Sequence, residues 1–376
     1  MVKKILFCAS RASHIINFHL PYLKEFQNKG YEVWVLTNEK EKIPYADHVV
    51  AMPFCKKMTS PENIKTIFKI KKFLKREKFT AVSTHTTLAS AVLRAAILLL
   101  REKPIVFYTV HGYLFHEEDG IKKWIYLLPE KICARITQTM MVMNREDYEI
   151  ACAHKLYRKN LYYIDGMGLD LSRFVLPSKE ERNRLRAEQG FSENDFLFIY
   201  AAEFSKRKNQ KLLIRAFSEL CKKKDHVYLL LAGTGSLLEE CKQYAAQLGV
   251  QNRVRFLGYV NQIYKLYPLC DATVSSSHIE GLPFNVMEAM ACGLPAVVSD
   301  IKGHKELVEQ GKNGILYPVG RIEDLIAGME KICEDKQLQR LFGQESLKKV
   351  KQFSIQQVFM PIMKIYEQGL SEKETV

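Results

Sequence analysis

Short runs of β-branched and aromatic residues alternate with helix-length amphipathic stretches along almost the whole chain. In the first half, residues 5–8, 32–36, 81–84, 105–109 and 139–143 predict strands. Such alternation argues for parallel sheets covered by helices. The rhythm restarts at 196–201, 227–232, 254–257, 272–275 and 296–299, so the pattern predicts two Rossmann-like α/β units. The charged stretch 179–188 interrupts it and places a linker over 172–190. The expected division is an N-terminal domain over 1–171, the linker, a second domain over 191–352, and a C-terminal segment over 353–376. In that last segment Val358, Phe359, Ile362, Met363, Ile365 and Tyr366 fit one amphipathic helix, which is expected to dock back on the N-terminal domain.

Composition agrees with two cores. The chain has 376 residues, 47% hydrophobic and 26% charged, enough for two domains of about 150–200 residues each. The longest apolar stretch, 88–100, is interrupted by Arg94 and falls short of the roughly 18–20 residues that span a bilayer, so it reads as a buried helix. The N-terminus runs straight into a strand pattern without a cleavable leader, and a cytoplasmic protein is expected. Nine cysteines are scattered without a Cys-x-x-Cys pair, and neither they nor the histidines show zinc-ligand spacing. Reduced, mostly buried thiols follow.

Charge adds an asymmetry. The net charge is +14, and residues 1–180 hold 29 Lys and Arg against 18 Asp and Glu, leaving 27 against 24 for the remainder. The N-terminal half is therefore expected to face something anionic. Lys65, Lys69, Lys72 and Arg76 fall on one face of a predicted helix, with Ile67, Phe68 and Leu74 turned elsewhere. That face is either an ordinary solvated one or is attracted to anionic lipid headgroups, at on the order of 1 kcal/mol per cation.

Candidate chemistry concentrates at Glu280. Gly281, Leu282 and Pro283 are turn residues, 284–291 can be helical, and Gly293 suits its terminator. A helix opening at about Pro283 presents free N–H groups and a partial positive charge, which suits phosphate. Glu288, further along, can accept hydrogen bonds from vicinal hydroxyls such as those of a ribose.

The spacing Glu280-x₇-Glu288, followed by Ala289, Met290, Ala291, Cys292, Gly293, Leu294 and Pro295, resembles the retaining family 4 of nucleotide-sugar glycosyltransferases with the GT-B fold. The resemblance extends over nearly the whole chain. It implies two Rossmann-like domains facing across a cleft, the first for an acceptor and the second for a nucleotide-sugar donor, with a UDP-sugar as the implied donor. By the same resemblance Glu288 binds the donor ribose, Glu280 contacts the transferred sugar, and the amides of Gly281, Leu282, Pro283 and Phe284 lie near the diphosphate. The family carries Gly-Arg where this chain has Ala202 and Glu203, with a lysine five positions after the arginine. Lys208 matches that lysine, but Glu203 cannot neutralise a diphosphate. Lys206 or Arg207 supplies the charge, or Glu203 holds a sugar hydroxyl or orients Lys208, and the sequence leaves these open.

Further family positions follow in the same way. His111, at the end of a predicted strand, is placed under the donor sugar near the reacting carbon. Gly233, in a strand-to-helix glycine turn, and Tyr259 fall beside the nucleotide, whose base is read by backbone groups around 258–260. His14, Asn17 and His19 are the acceptor-contact candidates, and Asp170 and Phe174 read as hinge residues.

The resemblance implies sugar transfer with retention, in which the departing phosphate takes the acceptor's proton. Lys208 and the helix near Pro283 stabilise the leaving group, and no cofactor or metal is expected. The phrases around His14 and His111 resemble bacterial enzymes of capsule, exopolysaccharide or lipid-linked oligosaccharide synthesis, which implies a polyprenyl-diphosphate-linked glycan acceptor and a peripheral place on the inner face of the cell membrane. Two other readings remain at this point: a nucleotide-sugar epimerase or hydrolase of the same fold, and a basic nucleic-acid binder. The second lacks any interleaved basic and aromatic motif, so no nucleic-acid partner is expected.

Overall fold

The computed structural model describes residues 2–55 and 60–371. The chain forms two compact units, Met1–Gly168 with Ile355–Val376, and Leu169–Ser354. The C-terminal tail beyond Ser371 lies outside the described residues.

The first unit is built on seven strands, β1 (Lys4–Cys8), β2 (Glu32–Thr37), β3 (His48–Ala51), β4 (Ala81–His85), β5 (Ile105–Val110), β6 (Thr139–Val142) and β7 (Asn160–Tyr163). Their order is β3-β2-β1-β4-β5-β6-β7, with parallel pairing throughout. All five expected strands form. The two additional ones, β3 and β7, lie at the sheet edges and are only partly buried, so they lack the continuous apolar run that marks an interior parallel strand. Strand order reverses between β1 and β4, which makes the carboxyl ends of β1, β4 and β5 the natural ligand edge.

The apolar stretch at 88–100 is the helix Thr87–Leu98, with Arg94 wholly buried. Arg94 is matched by an ion pair to Glu130 at 2.8 Å, a bond to Thr137 at 3.2 Å and the Tyr108 ring 3.8 Å from its guanidinium carbon, as a buried charge requires. The helix Ile355–Ser371 belongs to this same unit. Tyr366 packs against Phe7, Phe26 and Phe107, and its hydroxyl meets Ser83 Oγ at 2.7 Å.

The second unit repeats the plan with β8 (Phe196–Ala201), β9 (Val227–Ala232), β10 (Val254–Gly258), β11 (Ala272–Ser275), β12 (Ala296–Ser299) and β13 (Gly314–Tyr317), in the order β10-β9-β8-β11-β12-β13. Its switch point lies between β8 and β11. The boundary falls at Leu169, and the expected linker is largely a docked helix. Over Lys179–Glu188, Arg182 donates to the carbonyls of Pro268, Leu269 and Cys270 and pairs with Asp271 at 2.7 Å. The charges that suggested a linker thus tie this helix into the second unit. Among the described residues no helix is long and apolar enough to cross a membrane.

Candidate active site

In the second unit, two loops leave the carboxyl ends of β8 and β11 side by side. The first carries Arg207 and Lys208, the second Ser277 and Glu280. Glu280 is 6% exposed and Lys208 9%. Lys208 Nζ donates to Glu280 Oε1, and Ser277 Oγ donates to the same oxygen at 2.6 Å. Arg207 Nη1 donates to Glu280 Oε2 and to the Ile279 carbonyl, both at 3.1 Å. Both carboxylate oxygens are therefore engaged. Burial raises the Glu280 carboxyl, but Lys208 and Arg207 outweigh it and bring the pKa down to about 2. Burial and the neighbouring Arg207 pull the Lys208 ammonium below its ordinary value, with Glu280 opposing them. Two cations and one anion leave the cluster with a net positive charge.

This cluster adjoins the expected helix. It spans Phe284–Ala291 with Pro283 as its N-cap, and no side chain caps that end. The backbone is drawn tight here. Gly303 has φ +80°, and a Cβ at that position would lie 2.5 Å from the Gly281 carbonyl oxygen. The glycine turn after β9 is equally close-fitting: a Cβ on Gly233 would stand 2.0 Å from the Ala202 carbonyl oxygen, and Gly233 N–H donates to the Gly258 carbonyl at 2.6 Å. The β8, β9 and β10 loops are thus held together, with Tyr259 beside them 72% exposed.

Glu288 sits one turn further along the helix and is partly buried. Burial raises its pKa to about 7, opposed by the Arg173 guanidinium and the Tyr267 hydroxyl. Of the open choices at 203–207, the side chain of Glu203 is exposed and acts on Lys208 only as a neighbouring charge. Lys206 is exposed, and Arg207 is the cation that reaches the cluster. The sequence reading missed Ser277, Tyr267 and Arg173. Ser277 stands three residues before Glu280 and was within reach of local reasoning, whereas Tyr267 and Arg173 come to Glu288 only through the fold.

In the first unit, His111 follows β5, His14 lies in the helix Ala12–Phe18 after β1, and His19 follows that helix. His14 Nε2 and His111 Nε2 are 3.3 Å apart. Asn17 is exposed. His19 is wholly buried. Linear spacing showed no zinc pattern, yet folding brings His14, His19 and His111 together with His85, the last residue of β4. His85 was not a candidate in the sequence.

The basic helix forms over Pro61–Glu77, and Lys65, Lys69, Lys72 and Arg76 are exposed. Phe68 is not turned away from solvent: it is 58% exposed and Ile64 57%, so apolar side chains stand among the cations. A stronger apolar stripe went unnoticed. Ile121, Ile125, Leu128 and Ile132 lie 50% or more exposed along the helix Trp124–Ala134 and the turn before it, flanked by exposed Lys122, Lys131 and Arg135. Its four-three-four spacing is that of one helix face.

Two parallel α/β sheets, with Lys208, Arg207 and Glu280 clustered at the carboxyl edge of the second, are the frame of a sugar-transferring class, and the relatives agree. Residues 181–349 match the model of Glycosyl transferases group 1, and residues 4–143 match that of Glycosyl transferase 4-like. EpsD of Bacillus subtilis (strain 168), which carries a glycosyltransferase name, is 35% identical over 94% of this chain and 93% of its own length. The UDP-Gal:alpha-D-GlcNAc-diphosphoundecaprenol alpha-1,3-galactosyltransferase of Escherichia coli is 27% identical over 84% of each chain. Among solved structures, Anabaena Alr3699/HepE in complex with UDP and glucose superposes with a TM-score of 0.79, at 20% identity, over 97% of this chain and all of that one. This chain belongs to the GT-B glycosyltransferases of the group 1, family-4-like type.

Proposed function

We propose that the chain transfers a sugar from a UDP-sugar to a glycan acceptor carried on a polyprenyl diphosphate, with retention at the anomeric carbon, in bacterial surface-polysaccharide assembly. The observation that carries the reading is the cluster of Lys208, Arg207 and Glu280 beside the N-terminus of the helix Phe284–Ala291. It is a buried, net-positive place for a leaving diphosphate, and charge held ready in this way stabilises a departing anion without reorganisation. UDP in the Anabaena structure and the donor and diphosphoundecaprenol acceptor named for the E. coli relative support the choice of substrates.

Glu280 keeps both cations aimed and reaches a hydroxyl of the transferred sugar. A carboxylate with a pKa of about 2 and both oxygens occupied is a poor base and a poor nucleophile. This favours same-face attack, in which the leaving phosphate accepts the acceptor's proton. Glu288 accepts hydrogen bonds from the ribose. No ion is required at the diphosphate, because Lys208 and Arg207 supply its countercharge. His111 contributes from the first unit, which receives the acceptor. The stripe Ile121, Ile125, Leu128 and Ile132 and the basic helix Pro61–Glu77 hold the chain peripherally on the anionic inner face of the cell membrane, where buried apolar area and cation attraction add.

A donor screen by nucleotide release, with UDP- and GDP-sugars against one lipid-linked acceptor, tests this reading. Release from a UDP-sugar is expected, and release confined to GDP-sugars would overturn the donor assignment.

A further inference from the structure

We propose that His14, His19, His85 and His111 form a binding site for a divalent transition-metal ion of the zinc type. The fold delivers them from adjacent strands: His14 and His19 follow β1, His85 ends β4 and His111 follows β5, and β1, β4 and β5 are neighbours. One ring nitrogen from each lies within 4.8 Å of all the others. His14 Nε2 stands 3.3 Å from His111 Nε2, which stands 3.4 Å from His85 Nδ1. A tetrahedral ion with Zn–N bonds of about 2.0–2.1 Å holds its ligand nitrogens roughly 3.3–3.4 Å apart. Two of the six nitrogen pairs already stand at that separation, and the remaining ones, within 4.8 Å, need only small side-chain adjustments to close on an ion.

A second observation is independent of those distances. His19 is wholly buried, and neither of its ring nitrogens has a hydrogen-bond partner. Buried polar atoms are ordinarily satisfied, and coordination gives one of these nitrogens a use. His85 is oriented from behind: its Nε2 meets Ser83 Oγ at 3.0 Å, and Ser83 Oγ meets the Tyr366 hydroxyl at 2.7 Å. This leaves Nδ1 facing the cluster, the arrangement by which outer groups fix a metal-bound imidazole. An all-nitrogen donor set suits Zn²⁺ and its transition-metal neighbours rather than Mg²⁺ or Ca²⁺.

Four protein ligands close a tetrahedral ion to water, so the site ties three loop ends together and has no open position for activating a nucleophile. It lies in the first unit, whereas the donor cluster lies in the second. The assignment commits Nε2 of His111 to the ion and leaves its opposite ring nitrogen and main chain for other contacts.

The test uses the full chain prepared without a histidine tag. Elemental analysis after gel filtration should find about one zinc ion per chain, and Co²⁺ added to metal-stripped protein should give the visible bands of a tetrahedral nitrogen site. Replacing His19 and His85 together by alanine should lower metal retention by at least about tenfold. Wild-type protein that retains no zinc and gives no tetrahedral Co²⁺ spectrum overturns the proposal, a result independent of whether any variant folds. Unchanged metal retention in a folded double variant, checked by circular dichroism, overturns it as well.

Discussion

Lys208 and Glu280 form an ion pair between the loops that follow β8 and β11, with both side chains almost entirely out of water. Removing one partner strands a buried charge, which typically costs about 3–5 kcal/mol. Glu280→Gln should therefore lower the unfolding midpoint of the protein in urea and reduce turnover with the donor held at saturation. A variant as stable and as active as the wild type would mean that the pair does not organise the site.

The same pair sets an acid limit on stability. The Glu280 carboxyl falls from the ordinary 4.5 to about 2 in the folded chain. Its contribution is complete above 4.5 and is lost as pH falls toward 2. Melting temperatures recorded from pH 5 to pH 2 should fall more steeply for the wild type than for Glu280→Gln.

Glu288 has the opposite sign. Its pKa is raised to about 7, so the protonated form is favoured by folding below that value and the associated stability is lost as pH rises through 7. Hydrogen bonds from ribose hydroxyls favour the ionised form. Affinity for UDP, followed by calorimetry, should therefore rise with pH through about 7 and then level off. Glu288→Gln should bind more weakly and without that slope.

On the proposed peripheral placement, membrane attachment would divide between two surfaces. Flotation with vesicles containing anionic lipid should weaken when Ile125, Leu128 and Ile132 are changed together to Ser. It should become less sensitive to salt when Lys65, Lys69, Lys72 and Arg76 are changed together to Glu. Binding unaffected by both sets would remove these faces from the account of localisation.

If Lys208 and Arg207 supply the positive charge at the diphosphate, as proposed, donor cleavage should not depend on added Mg²⁺ or Mn²⁺. Nucleotide-release rates with and without either ion check this, and a large stimulation would require an ion that the residues around Glu280 do not explain.

The interior strands were legible in the sequence because parallel strands covered on both faces read as unbroken apolar runs, as in residues 105–109. The edge strands β3 and β7 carry no such run and were not seen. Glu280 and Glu288 were legible for a local reason: a turn and a short helix connect them, so their spacing survives folding. Arg207 could be named but not chosen over Lys206, since only the fold turns one of these adjacent cations toward Glu280. The histidine cluster was hidden because His14, His85 and His111 are separated by long stretches of chain and meet only where β1, β4 and β5 end side by side.

Transfer itself is tested most directly by measuring UDP release from a UDP-sugar with and without a polyprenyl-diphosphate-linked glycan, together with the anomeric configuration of the product. Release that depends on the lipid-linked acceptor and yields a product with the donor's anomeric configuration is predicted. Equally rapid release from the donor alone would contradict transfer and favour a nucleotide-sugar epimerase or hydrolase.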